Sequence, residues 1–477
     1  METEIIIDNS DIDSQLEGES KQSEVKLSIS EKIAEAYSKY FPDSMIFVLA
    51  ITAIAMLSAV ILTNSGPMKV MSLWFDGFPR MFTFAFQLIL TYAAALVIVE
   101  TPWIGKQITK LAKMVNKPTT AYVLTGLISG LTSLLGWYIG PVVAGTYARA
   151  IGKTNDKVDY RLLLAITYSS WIVWAGGISA TIPLFVATKG SLTEMLGGVI
   201  PFKATVFSPM NLILMISTVF IITTIFYFIG INKKKIVSYK SLLIEKEKER
   251  EEIAVAIEWN ITNKTFADRI NNWRPIQWVI GLLGVAYMFY HLAVNGLNGL
   301  NLNSVAFLLM FIGFMVSMNV NHYAKTFSKH MAASTSIAIQ FPLYGGIISI
   351  LVGTGLAEIF SHAVVSISTV ATFPMLTFLV EGFIHLFIPS AGSLFTATAP
   401  AFIPAAKELG VSIPRTVMAM NYGETWTSLI QPFWALLFMP IMGAGLKLTV
   451  KDFLGYCLPV LIIIGSIWIV GVIYLPI

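Results

Sequence analysis

Apolar residues along this 477-residue chain run in long blocks instead of alternating with polar ones. A bilayer core is crossed by about 20 apolar residues in a helix. Seven uninterrupted blocks fit that length: 44–63, 79–99, 209–230, 276–294, 302–320, 332–353 and 453–474. Four more apolar regions, 119–151, 161–188, 372–408 and 413–440, are interrupted near their centres. The interruptions read Gly136-Trp137-Tyr138-Ile139-Gly140-Pro141, Trp174-Ala175-Gly176-Gly177, Pro389-Ser390-Ala391-Gly392-Ser393 and Tyr422-Gly423-Glu424-Thr425. Irregular backbone at membrane depth is tolerated only where protein buries it or where it lines a cavity.

Composition agrees with this pattern. The chain is 55% hydrophobic and 13% charged, against about 25% charged in soluble proteins. That excludes a disordered chain, a disulfide-rich secreted domain and a collagen-like repeat. Cys457 is the only cysteine, so no intrachain disulfide can form. The charges are concentrated: residues 1–42 hold 10 acids and 4 bases, and residues 231–274 hold 7 acids and 10 bases. The N-terminal stretch has no basic n-region and is not a secretory signal. Residues 1–28 are expected to be disordered. Ser30 is expected to cap a short helix with Ile33, Tyr37, Tyr40 and Phe41 on one face, lying on the membrane surface. The stretch Ile244–Ile257 reads as a solvated linker helix.

The remaining bases set the orientation. Lys106, Lys110, Lys113 and Lys117 precede region 119–151, and Arg149, Lys153, Lys157 and Arg161 follow its core. Both ends are then cytoplasmic, which makes the region a re-entrant hairpin. The loops holding Lys233-Lys234-Lys235, Lys325 with Lys329, and Lys447 with Lys451 also fall inside. Only Lys69, Arg80, Lys189, Lys203, Lys407 and Arg415 remain outside. Region 372–408 becomes the opposite hairpin, and regions 161–188 and 413–440 become spans unwound in the middle. The expectation is an all-α polytopic membrane protein of nine spans and two hairpins, with the N-terminus cytoplasmic and the C-terminus outside.

The order span, span, hairpin, broken span, span holds for 43–230 and again for 302–474. The polar N-terminus 1–42, the charged linker 231–275 and a connecting span 276–294 complete the chain. The extra span reverses the second copy. Gln87 before Tyr92 echoes Gln340 before Tyr344, and Trp174 with Ser179 and Pro183 echoes Tyr422 with Thr427 and Pro432. Inverted repeats with paired broken helices mark secondary transporters that hold substrate near the midplane.

Half-helix N-termini offer free N–H groups and a positive dipole end, which suits an anion. Pro141 fits the first turn of one half-helix. Ser179 and Thr181 open a second, Ser393 and Thr396 a third, and Thr425, Thr427 and Ser428 a fourth. Trp137, Tyr138, Trp174, Tyr422 and Trp426 flank the breaks, where they enclose a short apolar tail or simply pack beside glycines. The substrate-binding candidates are Trp137, Gly140, Gly176, Gly177, Ser179, Ser390, Gly392, Ser393, Gly423 and Thr425. Intramembrane ionisable groups are functional candidates by default, and here they are Glu381, His385 and Glu424. Glu424, placed within an unwound stretch, is the first candidate for a coupling cation, H+ or Na+, with Ser390 and His385 beside it. Its alternative role is to tie down the free N–H groups of the break. Glu381 and His385, four apart, are placed to pair with each other. Arg149 reads as a snorkelling anchor. No HExxH, GxSxG or Walker A pattern occurs, so no enzyme is expected. No metal, cofactor or nucleic-acid partner is expected either.

Several stretches carry a family resemblance: FPMLTF (Phe373 to Phe378), IPSAG (Ile388 to Gly392), PAFIPAAKELG (Pro400 to Gly410), VMAMNYGETW (Val417 to Trp426) and QPFWAL (Gln431 to Leu436). To these add FPDSMIF (Phe41 to Phe47), MSLWFDGF (Met71 to Phe78), WAGGISATIPL (Trp174 to Leu184), QFPLYGGI (Gln340 to Ile347) and LGYC (Leu454 to Cys457). From about residue 35 onward the chain resembles the bacterial short-chain fatty acid transporter family, of the acetoacetate and butyrate uptake type. The resemblance implies a homodimer in a bacterial inner membrane, with a scaffold part and a moving part carrying two opposed hairpins. It implies cation-coupled symport of a small monocarboxylate. At the second hairpin tip the chain departs from the family pattern, with His385 in place of an Asn and Ser393-Leu394-Phe395 after Gly392. The alternatives are a carrier for a dicarboxylate or amino acid, or an anion channel.

Overall fold

A computed structural model describes residues 27–187, 193–245, 265–296 and 302–477. Residues 1–26, Lys189 and most of the expected linker helix lie outside them. Among the described residues the regular elements are helical, and one isolated antiparallel bridge joins Leu243 to Leu446.

The first helix, α1, spans Ile29–Tyr40 and is capped by Ser28, not by Ser30. The reason is the reciprocal box. Glu31 stands three residues after Ser28 and accepts from its N–H (2.8 Å) and its hydroxyl (2.7 Å), whereas three residues after Ser30 stands the apolar Ile33. This helix docks on protein. Glu31 and Ala34 are buried, Gly455 packs directly on Ala34, and the Tyr37 hydroxyl donates to the Ile430 carbonyl (3.0 Å). Glu31 also accepts from the N–H groups of Lys234 (3.1 Å) and Lys235 (2.8 Å). Lys233 bridges it to Asp159, at 3.6 and 3.3 Å, and donates to the Tyr456 hydroxyl. Burial alone raises the Glu31 carboxyl. The Lys235 N–H, the hydroxyl and N–H of Ser28 and the Lys233 ammonium overturn that and hold it at about 2, below the ordinary 4.5. A depressed carboxylate stabilises the fold above its unfolded pKa and loses that contribution as pH falls toward the folded one. The melting temperature of the detergent-solubilised protein should therefore fall between about pH 5 and pH 3 more steeply in wild type than in Glu31→Gln. Equal slopes in the two proteins would remove Glu31 from the account.

The membrane helices follow: α2 Ser44–Leu62, α3 Pro67–Gly77, α4 Phe82–Val99, α5 Pro102–Lys113, α6 Pro118–Leu135, α7 Ile139–Thr154, α8 Tyr160–Trp171, α9 Thr181–Val186 and α10 Pro209–Ile231. After α11, Arg274–Asn295, come α12 Leu302–Val316, α13 Val320–Ala333, α14 Thr335–Gly353, α15 Leu356–Val365, α16 Phe373–His385, α17 Ala391–Leu409, α18 Ile413–Trp426, α19 Pro432–Ala435 and α20 Leu458–Tyr474. Seven helical runs among the described residues are long and apolar enough to cross a bilayer, and the chain is a multi-pass α-helical membrane protein.

The block expected as span 302–320 is shorter. Its helix ends at Val316 because polar side chains take over its last carbonyls. Ser317 donates to Gly313 O (2.7 Å), Gln277 donates to the carbonyls of Phe314 and Ser317, and Asn319 caps α13 through the His322 N–H (2.7 Å). Elsewhere the element order of 44–231 recurs in 302–474: span, short helix, span, short helix, helix pair, interrupted span, span. The first span of each half packs on the second span of the other, α2 on α14 and α12 on α4. Gly77, Gly345 and Gly346 permit the backbone contact of α3 with α14: a Cβ on Gly345 would stand 2.5 Å from the Gly77 carbonyl oxygen. Small residues at such crossings are the usual means of close helix approach in membranes.

Candidate functional site

The first interrupted span unwinds in two steps. A 3-10 turn, Ile172–Gly176, follows α8, and 177–180 is irregular before α9. Gly177 is required here by proximity, since a Cβ would clash with the Leu134 carbonyl oxygen and stand 2.9 Å from its carbon. The neighbouring Ile178 N–H donates to that same oxygen (3.0 Å). The tip between α6 and α7 is stitched to this break. The Trp137 N–H donates to Ser179 Oγ (3.0 Å), and Trp171 Nε1 donates to the Trp137 carbonyl (2.6 Å). A Cβ on Gly140 would meet Ser133, and one on Gly176 would meet Met215 and Asn211. Trp137, Gly140, Gly176, Gly177 and Ser179 therefore share one neighbourhood. Pro141 stands in the first turn of α7, where no intrahelical donor is needed.

The second interrupted span differs from expectation. Tyr422-Gly423-Glu424-Thr425 is not unwound; α18 runs through it to Trp426, and the break covers a 3-10 turn, Thr427–Leu429, and the irregular residues 430–431. The cause is the next proline. Pro432 has no N–H to continue the ladder, and Gln431 instead accepts from the Phe433 N–H (2.9 Å) to start α19. Gly423 serves close packing: a Cβ would clash with the Phe378 carbonyl oxygen and stand 3.0 Å from Glu381 Cβ, on the facing α16. Thr425 is thus in the last turn of α18, not at a half-helix N-terminus. Its hydroxyl lies 3.0 Å from Asn421 O and 2.8 Å from Glu424 Oε1, and its one proton serves one of the two.

Each break is capped by the other span. Asn421, on α18, donates to the Ala175 carbonyl (2.8 Å). Tyr168, on α8, donates its hydroxyl to the Ser428 carbonyl. Asn211 on α10 donates to Gly176 O (2.9 Å) and accepts from the Tyr422 hydroxyl (2.7 Å). Asn421, Tyr168, Tyr422 and Ser428 are wholly buried. Without water in the bilayer core, these freed carbonyls need protein donors. None of Asn421, Tyr168 or Asn211 was singled out from the sequence. The one available signal was an Asn inside the apolar run of α18.

Glu424 faces α16. Its Oε2 is 3.4 Å from His385 Nε2, and His385 Nδ1 is 2.9 Å from Thr427 Oγ1. His385 pairs across the helix crossing with Glu424 and not along its own helix with Glu381, because the contact at Gly382 and Gly423 brings α18 closer than one helical turn of α16. Glu381 is also wholly buried, and neither of its oxygens has a hydrogen-bond partner.

At the second tip, Ser390 precedes α17, but its hydroxyl donates to Ser393 Oγ (3.2 Å) and caps nothing. Thr396 donates to the Gly392 carbonyl (2.8 Å). Gly392 has room: a Cβ would find only Thr181 Cγ2, at 3.8 Å. The second tip thus faces the start of α9.

An indole cluster lies beside the breaks. Trp434 stands 5.7 Å from Trp137, 5.6 Å from Trp171 and 6.4 Å from Trp174, ring centre to ring centre, and Phe84 closes on it at 6.4 Å. Nε1 of Trp174 and of Trp434 is buried without an acceptor. Tyr422 and Trp426 are not part of it: Tyr422 packs on Trp468, and Trp426 donates to the Leu461 carbonyl (2.7 Å). Arg149 is a clamp and not a snorkelling anchor. It donates to the carbonyls of Ile441 and Ala444 (2.7 Å each), which the loop after α19 frees.

Compared with known proteins, residues 26–475 match the family described as short chain fatty acid transporter. A provisionally named short-chain fatty acid transporter of Escherichia coli (strain K12) is 28% identical over 443 residues, 93% of this chain and 98% of the relative. One of Haemophilus influenzae (strain ATCC 51907 / DSM 11121 / KW20 / Rd), named in the same way, is 28% identical over 445 residues, 92% and 97% of the two chains. Among solved structures, Neisseria gonorrhoeae MtrF, titled as illuminating a class of antimetabolite efflux pumps, gives a TM-score of 0.40 at 16% identity, covering 94% of this chain and 98% of MtrF. The Alcanivorax borkumensis YdaH transporter gives 0.42 at 14% identity, covering 90% and 97%.

Proposed function

The chain belongs to the short chain fatty acid transporter family, and from that premise we propose that it is a secondary active transporter for short-chain fatty acids or similar small monocarboxylates, driven by symport with a cation. We place it in a bacterial inner membrane, N-terminus cytoplasmic, as a homodimer, with two inverted repeats that rock about the crossed breaks. The observation that carries this reading is the reciprocal capping of the breaks by Asn421 and Tyr168. Two broken stretches, each capped by a donor from the other half, can exchange partners when the halves move, which a rigid pore lining does not need.

The indole cluster supports a monocarboxylate. Its rings suit a short apolar tail, and the unpaired Nε1 groups of Trp174 and Trp434 are donors for a carboxylate. Trp137, Gly140, Gly176, Gly177 and Ser179 shape that side of the site, and Ser390, Gly392 and Ser393 the other. Gly423 and Thr425 support it from α18. Arg149 is committed to backbone carbonyls, and so is Arg415, which donates to Leu475 O (2.8 Å). A dicarboxylate would lack a second cationic partner in either of them.

Reconstituted into proteoliposomes, the protein should take up radiolabelled butyrate or acetoacetate saturably and concentrate it under an imposed proton or sodium gradient. Flux that follows voltage alone without saturating would replace the carrier with an anion channel.

A further inference from the structure

We propose that the Glu424–His385 pair is the binding site for the coupling cation and that this cation is a proton. The inference rests on the transport reading above and begins with a hydroxyl. Thr427 has one proton to give, and its Oγ1 lies 2.8 Å from the Gly382 carbonyl, which can only accept. That proton goes to Gly382, so at His385 the N–H must be on Nδ1, donating to Thr427 Oγ1 (2.9 Å). His385 Nε2 then meets Glu424 Oε2 at 3.4 Å with no other partner on either atom. A carboxylate facing a bare nitrogen lone pair, both fully buried, would be two acceptors opposed in a dry site. One proton between them removes the conflict, as a carboxylic acid facing neutral imidazole or as a carboxylate facing imidazolium.

The surroundings fit a proton better than a sodium ion. Sodium, a hard cation, takes several oxygen ligands. Here the free Glu424 oxygen faces a nitrogen, His385 Nε2, in place of a further oxygen. The titratable group that shares the pocket is Glu381, on α16. Thr398, opposite it on α17, donates its hydroxyl to Leu394 O (2.9 Å). Of the other elements packed on α16, α15 brings Glu358 and His362, both exposed, and α20 brings Trp468, which lies against Tyr422.

Position supplies the coupling. Glu424 is three residues before the break, and His385 is the last residue of α16 before the second tip. A shift of the break or the tip opens the pair to water. Loading forms one O–H or N–H bond to a proton from water on one side. Release on the other side breaks it and regenerates carboxylate and neutral imidazole. The positive charge gained offsets that of a carboxylate arriving at the tip.

The test uses full-length protein in proteoliposomes, with acetoacetate as probe and protein-free liposomes as the baseline. Wild type should accumulate acetoacetate under an inward proton gradient in sodium-free buffer. Glu424→Gln and His385→Gln should lose accumulation yet keep exchange of labelled for unlabelled acetoacetate, because exchange needs no net proton release. Accumulation at wild-type level in Glu424→Gln, or wild-type accumulation that requires sodium, overturns the proposal. Should the variants not reconstitute, infrared difference spectra of wild type decide. A carboxylic-acid or imidazolium band that changes when acetoacetate is added, and is lost in Glu424→Gln or His385→Gln membranes, supports the site, and the absence of both bands overturns it. Wild type with neither uptake nor exchange would instead sink the transport reading itself.

Discussion

Replacing Asn421 by Ala should abolish accumulation of substrate and destabilise the solubilised protein by about 3 kcal/mol, the cost of a carbonyl left without a donor in a dry interior plus the lost side-chain packing. Asn421 is wholly buried and gives its amide N–H to Ala175 (2.8 Å), in the irregular end of the 3-10 turn. Among the described residues no other side-chain donor is placed on that oxygen, and Ala175 is wholly buried. The effect should be larger than that of Tyr168→Phe, because phenylalanine keeps the ring packing on Trp171 and Phe438 and removes only the hydroxyl that caps Ser428. Gradient-driven uptake into proteoliposomes measures the first part, and thermal unfolding in detergent the second. Because the two donors close one crossed unit, the double variant should lose less than the sum of the singles. Additive losses would separate the two breaks mechanically.

The second large effect is expected at Gly423. An alanine there puts its Cβ into the Phe378 carbonyl oxygen and 2.9 Å from that carbonyl carbon. The obstacle is backbone, so no rotamer relieves it and α16 and α18 must part. Overpacking costs about 1–3 kcal/mol, and this site belongs at the upper end. Parting those helices also stretches the Glu424–His385 contact, so Gly423→Ala should lose coupled uptake even in the fraction that stays folded. Gly66→Ala is the control, since a Cβ at Gly66 meets nothing within 4 Å. A Gly423→Ala protein with wild-type melting and uptake would mean that the crossing of α16 and α18 gives way to a methyl group.

Much of the site was legible before any coordinates, and the parts that were not share a cause. Interruptions by Gly, Pro and small polar residues marked four places, and irregular backbone occurs at or just beside each. The first break was located correctly because Gly176-Gly177 both permits the bend and lies in it. The second was placed too early because Gly423 looks like a breaker in sequence, whereas in space it is a contact surface. The real stop is Pro432, whose missing N–H is a local property that the same sequence displays. Glu381 and His385 were read as a pair from their spacing of four, which is a sound rule for an isolated exposed helix. A neighbouring helix overrode it.

The sequence by itself determined that this is a multi-pass helical membrane protein with broken helices, and its motifs pointed to its family. Those features follow from local physics: an apolar run long enough to cross a bilayer must be helical to satisfy its own backbone, and Gly or Pro within the run frees particular carbonyls. Which donor reaches those carbonyls was decided only by the tertiary structure. Asn421 and Ala175 are 246 residues apart, Tyr168 and Ser428 are 260 apart, and Trp434 joins indoles from the other half of the chain. Such pairings depend on how two helices cross, and crossing angle and depth are set by small residues acting jointly, not by any pattern along one strand of sequence.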